Sequence, residues 1–353
     1  MNVFNPATGL ALRLCAATTI CWAMLYLVSM ILRHFGVVDR PNARSSHEIP
    51  TVRGGGIAMV LVILIVMLWL AGNQEPYLFG LAVSFFSLAM ISFWDDLKSL
   101  GPAFRFGAQL LAAAAALLWL KIAVPPDRMS VTANHVTFLV ISFVWIVGYT
   151  NAFNFMDGIN GLACSQALVT ALGTSILGHA AGLPWTHPAI FLALVVTASS
   201  AGLLPHNFPR ARVFMGDVGS VSLGFLIAVL TVWIACDTDW WMLLWMGLLH
   251  ANFVLDAVIT VIRRTMRGER WYEAHREHFY QRLIRAGRSH QSVTLSEMAL
   301  QVMVLILLCF TQSTNWMVRA FAGSIVLLLW IGFFFYAEHA FRLASPEPMA
   351  RSS

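Results

Sequence analysis

The sequence predicts an all-α fold, a polytopic transmembrane bundle of about 11 helical spans. Of its 353 residues, 59% are hydrophobic and 11% charged, with a mean hydropathy of +0.73, whereas soluble domains are roughly 25% charged. Its apolar residues fall in repeated stretches of about 20, the length of a helical span, and the ten-residue alternating strands of a β-barrel do not recur. A helical bundle is therefore expected, with residues 1–353 forming one membrane domain.

Eleven apolar stretches are predicted to cross the membrane. They are 10–32, 55–72, 77–94, 103–124, 135–150, 161–180, 188–205, 218–236, 241–262, 293–310 and 316–340. The first stretch has little positive charge before it and three arginines soon after it, which is the reverse of a secretory signal peptide. We therefore expect it to remain in the membrane, with the N-terminus outside.

The distribution of positive charge predicts the orientation of the bundle. With the N-terminus outside, the main inner loops are 33–54, 95–102, 151–160, 206–217 and 263–292. The inner segments, the C-terminal tail and the adjoining helix ends hold 18 of the 22 lysine and arginine residues. The positive-inside rule then places these loops and the C-terminus in the cytoplasm. The five cysteines form no C-x-x-C pair and are interpreted as packing residues.

The stretch Asn207–Gly224, NFPRARVFMGDVGSVSLG, is the one around which the predicted chemistry is organised. Two glycines bracket Asp217 and permit tight turns and close backbone approach. Arg210 and Arg212 precede it and favour phosphate. A carboxylate beside phosphate suits magnesium. This stretch therefore predicts a metal and phosphate site at the membrane edge.

A pair of aspartates ends the third predicted span, in FWDDLKSLG. Asp95 and Asp96 have two readings. They are either ordinary charges where a helix leaves the membrane, or, because adjacent carboxylates repel unless a cation is near, part of a metal site or a phosphate-activating base. Lys98 is then placed to contact phosphate.

Three polar residues follow the fifth span, in NAFNFMDGINGLA. Asn154, Asp157 and Asn160 are three apart, a spacing that would place them on one face of a helical turn. Such an edge of amides and carboxylate suits a nucleobase or sugar. The alternative is a loop whose side chains cap the next helix.

Two histidines occur in the long inner loop, in HREHFYQRL. His275 and His278 are predicted to share a helical face at i, i+3. Surface histidines are one interpretation, and phosphate binding with Arg276 and Arg282 is the other. H-x-x-H without a third soft ligand is weak support for zinc.

The first inner loop and one intramembrane acid leave alternatives open. The loop DRPNARSSHEIPTVRGGG carries His47 and Arg53 and three glycines, which suit either substrate binding or close helix packing. Asp256 is either a functional acid within the membrane or the partner of Arg263–Arg264.

Taken together, from about Asp39 to Leu283, these five ordered motifs resemble the polyprenyl-phosphate N-acetylhexosamine-1-phosphate transferases. The chain looks closest to the branch that initiates O-antigen synthesis. The resemblance implies transfer of an N-acetylhexosamine-1-phosphate, including 6-deoxy forms such as N-acetylfucosamine or N-acetylquinovosamine, from a UDP-sugar to undecaprenyl phosphate, with release of UMP. It also implies Mg²⁺, with Mn²⁺ as an alternative, and a site on the cytoplasmic face of the bacterial inner membrane.

The resemblance also implies roles for individual residues. Asp95, with Asp96 as its partner, would activate the lipid phosphate, Asp217 would bind the metal, and Phe214 would stack on uracil. The predicted catalytic residues are Asp95, Asp96, His275 and His278; the predicted metal ligands are Asp217 and Asp96; the predicted substrate-binding residues are His47, Arg53, Asn154, Asp157, Asn160, Asn207, Phe214, Arg276 and Arg282. Glu277 interrupts the histidine run of the peptidoglycan enzymes, which argues against a muramyl-pentapeptide donor.

Two other functions compete with this prediction. A solute transporter is the first, although transporters usually place their polar groups near the bilayer midplane, whereas here they crowd one predicted surface. The second is a scaffold for other assembly enzymes with a decayed site. Membrane lipids are expected as partners, no nucleic acid is expected, and a homodimer is left open.

Overall fold

The computed structural model describes residues 6–39, 50–73, 75–123, 135–270 and 275–344. Within these ranges the chain forms thirteen helices and a small three-stranded sheet. The helices are α1 Pro6–His34, α2 Gly56–Asn73, α3 Leu78–Lys98, α4 Pro102–Ala123, α5 His135–Phe155, α6 Leu162–Ala180, α7 Pro188–Asn207, α8 Asp217–Asp237, α9 Trp241–Leu249, α10 Ala251–Met266, α11 Phe279–Arg285, α12 His290–Thr311 and α13 Trp316–Ala344. His47 lies outside the described residues.

The predicted all-α membrane bundle is confirmed. Nine helices in the described ranges are long and apolar enough to cross a membrane, and α9 with α10 would make a tenth. Each of the eleven predicted stretches coincides with a helix, but α6 is not among these candidate spans. Its buried Gln166, Thr170 and Thr174 lower its hydropathy while they face other helices. The number of spans is therefore nine or ten by this measure rather than eleven.

The ninth predicted span, 241–262, is two helices in the structure. α9 and α10 meet at His250 with a bend of 82°. The cause lies in α10, where Asn252, Asp256, Thr260 and Arg264 follow one another at intervals of four and are all buried. This polar stripe would be costly against lipid. The bend lets it pack against protein instead.

The centre of the bundle is α8. Every residue of its most apolar window is buried, and it contacts α2, α3, α5, α6 and α7. At its first turn it crosses α2 very closely, because a Cβ added to Gly56 would lie 2.3 Å from the Cα of Gly219. Glycine at both positions therefore lets the backbones of α2 and α8 touch at their first turns, and this contact fixes the position of Asp217 at the start of α8.

A small sheet adds to the predicted helices. Its strands are β1 Val38–Asp39, β2 Thr51–Arg53 and β3 Val213–Phe214, with β1 antiparallel and β3 parallel to β2. Arg53 pairs in register with Phe214. Two further backbone bonds, from Gly55 N to Phe214 O and from Gly56 N to Met215 O, are each 2.9 Å long. The sheet thus joins the first inner loop to the segment before Asp217, a pairing of distant segments that carries no periodic signal in the sequence.

Candidate active site

Three aspartates and two arginines meet where α3 ends and α8 begins. Arg53 binds Asp96 through Nε (2.7 Å to Oδ1) and Asp217 through Nη2 (2.9 Å to Oδ1). Arg105, in the first turn of α4, places Nη1 2.9 Å from Oδ2 of Asp95 and 3.5 Å from Oδ2 of Asp217. We call these five residues the aspartate–arginine cluster. It brings the ends of α3, α4 and α8 to the same end of the bundle.

The two neighbouring aspartates have different surroundings. The Asp96 side chain is 0% exposed. Its Oδ1 accepts a hydrogen bond from Asp217 N (2.9 Å) and its Oδ2 one from Val218 N (3.0 Å). Asp95 accepts from Leu100 N at 2.5 Å and from Arg105, and it lines a cavity. The predicted repulsion within the pair is relieved because each carboxylate faces its own arginine.

The electrostatics of Arg53 follow from this arrangement. Burial lowers the pKa of its guanidinium, but the charges of Asp217 and Asp96 outweigh that effect and raise the pKa above its usual value. The guanidinium therefore remains charged at any physiological pH and can also attract an anion, since 35% of the side chain is exposed.

A cavity of about 470 Å³ opens beside the cluster, between α3, α4, α5 and α8. Its charged lining consists of Asp95, Arg105 and Asp217, and its amide lining of Gln109, Asn151 and Asn154. The remaining lining residues are Leu88, Ile91, Ser92, Pro102, Ala103, Phe106, Phe155 and Val221. Apart from one serine these are apolar, so the cavity joins a charged group to a hydrocarbon-like chamber.

The predicted helical face of Asn154, Asp157 and Asn160 is wrong. α5 ends at Phe155, so Asn154 lies on its last turn and the other two lie in the turn before α6. Asn154 Oδ1 accepts from Ser220 Oγ at 2.7 Å, and Asn160 Nδ2 donates to Pro209 O at 3.2 Å.

Asp157 nevertheless belongs electrostatically to the aspartate–arginine cluster. Burial, together with the negative charges of Asp217 and Asp96, raises the pKa of Asp157 well above its usual value, although Arg53 opposes the shift. The segment 151–160 is therefore close enough to the cluster for their charges to interact.

Two other predicted substrate residues lie on β3 and beside it. Asn207 is buried; its Oδ1 accepts from Gly161 N at 2.8 Å and its Nδ2 donates to Val213 O at 2.9 Å. Phe214 is partly exposed at the end of β3. Asn207 thus ties the start of α6 to β3 with both ends of its amide, and its role in substrate binding stays a prediction.

The predicted histidine helix is wrong in form, although the two rings do meet. His275 precedes α11 in an irregular segment, and His278 is the residue just before that helix. Their ring centroids are 4.9 Å apart. His278 also lies 5.9 Å from the ring of Phe155, which lines the cavity. His278 therefore contacts one residue of the cavity wall.

Asp256 pairs with His278, and the pairing with Arg263–Arg264 is not observed among the described contacts. His278 Nδ1 lies 2.8 Å from Asp256 Oδ1, and Phe279 N donates to Asp256 Oδ2 at 2.9 Å. Both residues are buried. Asp256 thus orients the histidine and the start of α11.

Two arginines of this loop, Arg282 and Arg285, contact α13. Arg282 donates from Nη1 to Glu338 Oε2 at 2.5 Å and from Nε to Glu277 O at 3.1 Å, and its side chain is 8% exposed. The Arg276 carbonyl accepts from Arg285 Nη1 at 3.2 Å. We call residues 275–285 the histidine loop. That Arg276 and Arg282 bind an anion stays a prediction. In the structure, Arg282 already has carboxylate and carbonyl partners within the protein.

Arg105 is the site residue that the sequence interpretation missed, because it was counted only as an orienting charge. A signal was available, since the predicted span 103–124 contains this arginine two residues from its start. A charge within a span is a functional candidate by default. Ser220, one turn into α8, was missed because a buried serine in an apolar helix has no distinctive pattern.

The residues present fit a shared rather than a fully protein-bound magnesium ion. In the described part of the chain, no group of three or more His, Cys, Asp or Glu is arranged to hold a metal. Asp95 and Asp217 do face one point, since both contact Nη1 of Arg105. Mg²⁺ usually takes one or two carboxylates and completes its shell with phosphate oxygens and water.

Comparisons with known proteins agree with this geometry. Residues 78–235, from the start of α3 nearly to the end of α8, match the family described as glycosyl transferase family 4. A decaprenyl-phosphate N-acetylglucosaminephosphotransferase of Mycobacterium tuberculosis is 28% identical over 322 residues, 82% of this chain and 79% of that protein.

Two further relatives come from other bacteria. A probable undecaprenyl-phosphate N-acetylglucosaminyl 1-phosphate transferase of Bacillus subtilis is 26% identical, covering 76% of this chain and 75% of the relative. A phospho-N-acetylmuramoyl-pentapeptide-transferase of Lacticaseibacillus paracasei is 26% identical, covering 72% and 83%. All three are named as transferases, so the solute-transporter alternative has no support from them. The chain is a multi-pass membrane enzyme that is similar to the polyprenyl-phosphate N-acetylhexosamine-1-phosphate transferases.

Proposed function

We propose that the protein transfers an N-acetylhexosamine-1-phosphate from a UDP-sugar to undecaprenyl phosphate and releases UMP. The observation that carries the proposal is Arg105, which bridges Asp95 and Asp217 on the wall of an otherwise apolar cavity. A phosphate with a hydrocarbon tail requires this combination of a cationic end and an apolar chamber.

The lipid phosphate is proposed to enter through the cavity. Leu88, Ile91 and Phe106 offer an apolar wall for the prenyl units next to the head group. The Arg105 side chain, 38% exposed, lines the same cavity, and arginine binds phosphate in a planar, two-pronged geometry. Binding of phosphate would loosen its hold on Asp95 and leave this carboxylate to accept a proton.

The transfer itself is a phosphoryl substitution. An oxygen of the lipid phosphate forms a bond to the β-phosphorus, and the bond from that phosphorus to the α–β bridging oxygen breaks, so that UMP leaves with the oxygen. Asp217, together with substrate oxygens and water, would hold a magnesium ion, which supplies positive charge to the diphosphate oxygens. Arg53 and Arg105 add positive charge from the protein. Such reactions depend mainly on positioning and electrostatics.

The nucleotide is proposed to bind toward the segment 151–160 and β3. Asn154, Asp157 and Asn160 offer amide and carboxylate groups there, and Phe214 is a partly exposed ring for stacking on uracil. The identity of the donor sugar is a separate part of the proposal. An N-acetylhexosamine of the O-antigen type, including 6-deoxy forms, is our proposal, with the site on the cytoplasmic face of the bacterial inner membrane.

A donor panel tests the proposal. Purified protein is mixed with undecaprenyl phosphate and, in turn, UDP-N-acetylglucosamine, UDP-N-acetylfucosamine, UDP-N-acetylquinovosamine and UDP-MurNAc-pentapeptide, first with EDTA and then with Mg²⁺. We expect lipid-linked sugar diphosphate and UMP with at least one simple sugar, only after Mg²⁺ is restored. A strict preference for the pentapeptide donor would contradict the sugar assignment. No transfer from any donor, with solute flux in vesicles, would contradict the reaction; full activity of Asp217→Asn in cells would favour a scaffold.

A further inference from the structure

We propose that Asp96 is a positioning residue, which caps the start of α8 and thereby fixes the carboxylate of Asp217, and that it neither binds the metal nor accepts a proton. The inference rests on the proposed transfer reaction. It reassigns one residue that the sequence placed among both the catalytic groups and the metal ligands.

The first argument is that most of the acceptor capacity of Asp96 is taken up and that its side chain is enclosed. Its Oδ1 accepts from Arg53 Nε at 2.7 Å and from Asp217 N at 2.9 Å, and its Oδ2 accepts from Val218 N at 3.0 Å. A carboxylate has about four lone-pair sites in all. The side chain is 0% exposed, so no face remains for a metal ion with its waters or for a substrate proton.

The second argument comes from α8. The first amide groups of a helix have no partner within the helix, and most helices satisfy them with a side chain at the preceding position. Here that position is Gly216, which has no side chain. Asp96 reaches across from α3 and accepts from the first two amides of α8 instead. An anion at this end also suits the helix dipole.

The third argument is steric. Gly216 has φ +74°, and a Cβ added there would lie 2.7 Å from Asp96 Oδ2 and 2.9 Å from Gly54 N. Glycine is therefore required both by the backbone conformation and by the close approach of the Asp96 carboxylate. Gly216 leaves room for the Asp96 carboxylate, and that carboxylate in turn holds the backbone of the next residue, Asp217, in place.

Asp95 provides the contrast within the same pair. It lines the cavity, and its Oδ2 faces Arg105, whereas Asp96 is absent from the residues that line that cavity. In this structure the two neighbouring aspartates point to different tasks: Asp95 faces the substrate space and Asp96 faces the backbone of α8.

The test is a rank order of variants at two positions. A cap needs a short acceptor, so Asp96→Asn and Asp96→Ser should work better than Asp96→Glu, whose longer chain does not fit a fully buried position. A ligand or base needs a carboxylate, so at Asp217 the order should reverse, with Asp217→Glu above Asp217→Asn. The readouts are kcat, Mn²⁺ binding to the purified protein by electron paramagnetic resonance, and thermal unfolding in detergent.

We expect Asp96→Asn to keep at least about a tenth of kcat and to bind Mn²⁺ within roughly threefold of the unaltered protein, since an amide oxygen still caps. Asp217→Asn should weaken Mn²⁺ binding by about tenfold or more, because it removes a carboxylate ligand. The proposal is overturned if Asp96→Glu is the more active variant, or if Asp96→Asn weakens Mn²⁺ binding as much as Asp217→Asn.

Folding failure also has a defined meaning. If Asp96→Asn does not fold, Mn²⁺ binding to Asp96→Ser decides, and if both short variants fail to fold while Asp96→Glu folds, the cap assignment is wrong. If the unaltered protein transfers no sugar phosphate, the proposed function fails, and the rank order of thermal stability and Mn²⁺ binding still decides the role of Asp96.

Discussion

The aspartate–arginine cluster and the histidine loop have similar ingredients and different construction. Both lie at the end of the bundle where the 151–160 segment meets the cavity, and both pair arginines with carboxylates. In the cluster, the Arg53 and Arg105 side chains are 35% and 38% exposed, and Arg105 faces a cavity. In the loop, Arg282 is 8% exposed and bonded to Glu338. The two regions are both rich in charged residues, but the cluster is better able to bind an anion from outside the protein than the histidine loop is.

The supporting elements explain this difference. The cluster is assembled from the ends of α3, α4 and α8 and from β2, which leaves its centre open to the cavity. The histidine loop packs along α13, where Phe279 stacks on Phe334 at 4.5 Å and Arg282 lies over the Phe341 ring. Glu277 shows the result, since burial raises its pKa but Arg267 and other arginines outweigh this and hold the pKa below its usual value. The charges of Glu277 and Arg282 are therefore already paired within the protein.

The largest expected effect is at Asp217. Asp217→Asn should lower kcat by a factor of about 10³ while the protein remains folded, because it removes a group that positions positive charge on the reacting diphosphate. Transfer of sugar phosphate is measured across a Mg²⁺ titration. The matched control is Asp237→Asn at the far end of the same helix, where the acid pairs with His187. Equal losses in both variants would remove the distinction between the two ends of α8.

The next effect concerns the open arginine. Arg105→Gln should raise the KM for the prenyl phosphate by roughly tenfold or more, since a hydrogen bond to a charged group contributes about 1.5 to 3 kcal/mol. Initial rates at varied lipid phosphate measure it. Arg288→Gln, at an exposed position of the chain, serves as control and should leave KM unchanged. If both variants had the same KM, the cavity would not be the lipid phosphate site.

A third experiment probes the closed region. Glu338→Gln should reduce stability by about 2 kcal/mol, because the buried Arg282 loses its shorter carboxylate contact and keeps only that to Glu277, at 3.5 Å. Mg²⁺ dependence should not change, since Glu338 contacts the histidine loop rather than the cluster. Thermal unfolding in detergent is the measurement. Arg342→Gln is the control, because its side chain is 77% exposed and its pair with Glu338 should contribute under about 1 kcal/mol. A shift in the Mg²⁺ optimum would show that the two regions are coupled.

The smallest effect is a pH dependence at Asp157. Its pKa is raised in the folded protein by burial and by Asp217 and Asp96, so the folded state binds this proton more tightly than the unfolded chain does. The associated stability is present below the unfolded value of about 4 and is lost as pH rises through the folded pKa. Asp157→Asn removes this loss. The melting temperature of Asp157→Asn minus that of the unaltered protein should therefore increase as pH rises. A difference independent of pH would contradict the assignment.

Much of the fold was predictable because lipid imposes a simple rule. A span must be long and apolar, and each predicted stretch does contain a helix. The rule failed where protein replaced lipid as the surroundings: α6 tolerates buried Gln166 and Thr170 because other helices enclose it, and α10 bends away at His250 to bury its polar stripe. Hydropathy describes the contact of a helix with lipid, and these helices mainly contact protein.

Part of the candidate site could be predicted for a related reason. Asp95 and Asp217 could be identified as candidates because charged residues next to apolar spans are energetically costly and therefore rare. Arg105 was overlooked because one basic residue at a helix start is equally well explained by orientation. The histidines were assigned to a helical face from spacing alone, and the structure brings their rings together across an irregular segment instead.

The sequence by itself determined that this chain is a helical membrane protein and which of its residues are candidates for metal and phosphate chemistry, because composition and motifs can be recognised without knowing which residues meet in space. Only the tertiary structure decided which of those residues are available. Asp95 and Asp96 are adjacent and chemically identical, yet one faces a cavity and the other is enclosed by Arg53 and the amides of α8. One of the contacts that distinguish Asp96 from Asp95, the hydrogen bond from Asp217 N, joins residues 121 positions apart in the chain. No local sequence pattern shows which distant residue the folded chain will bring to each carboxylate.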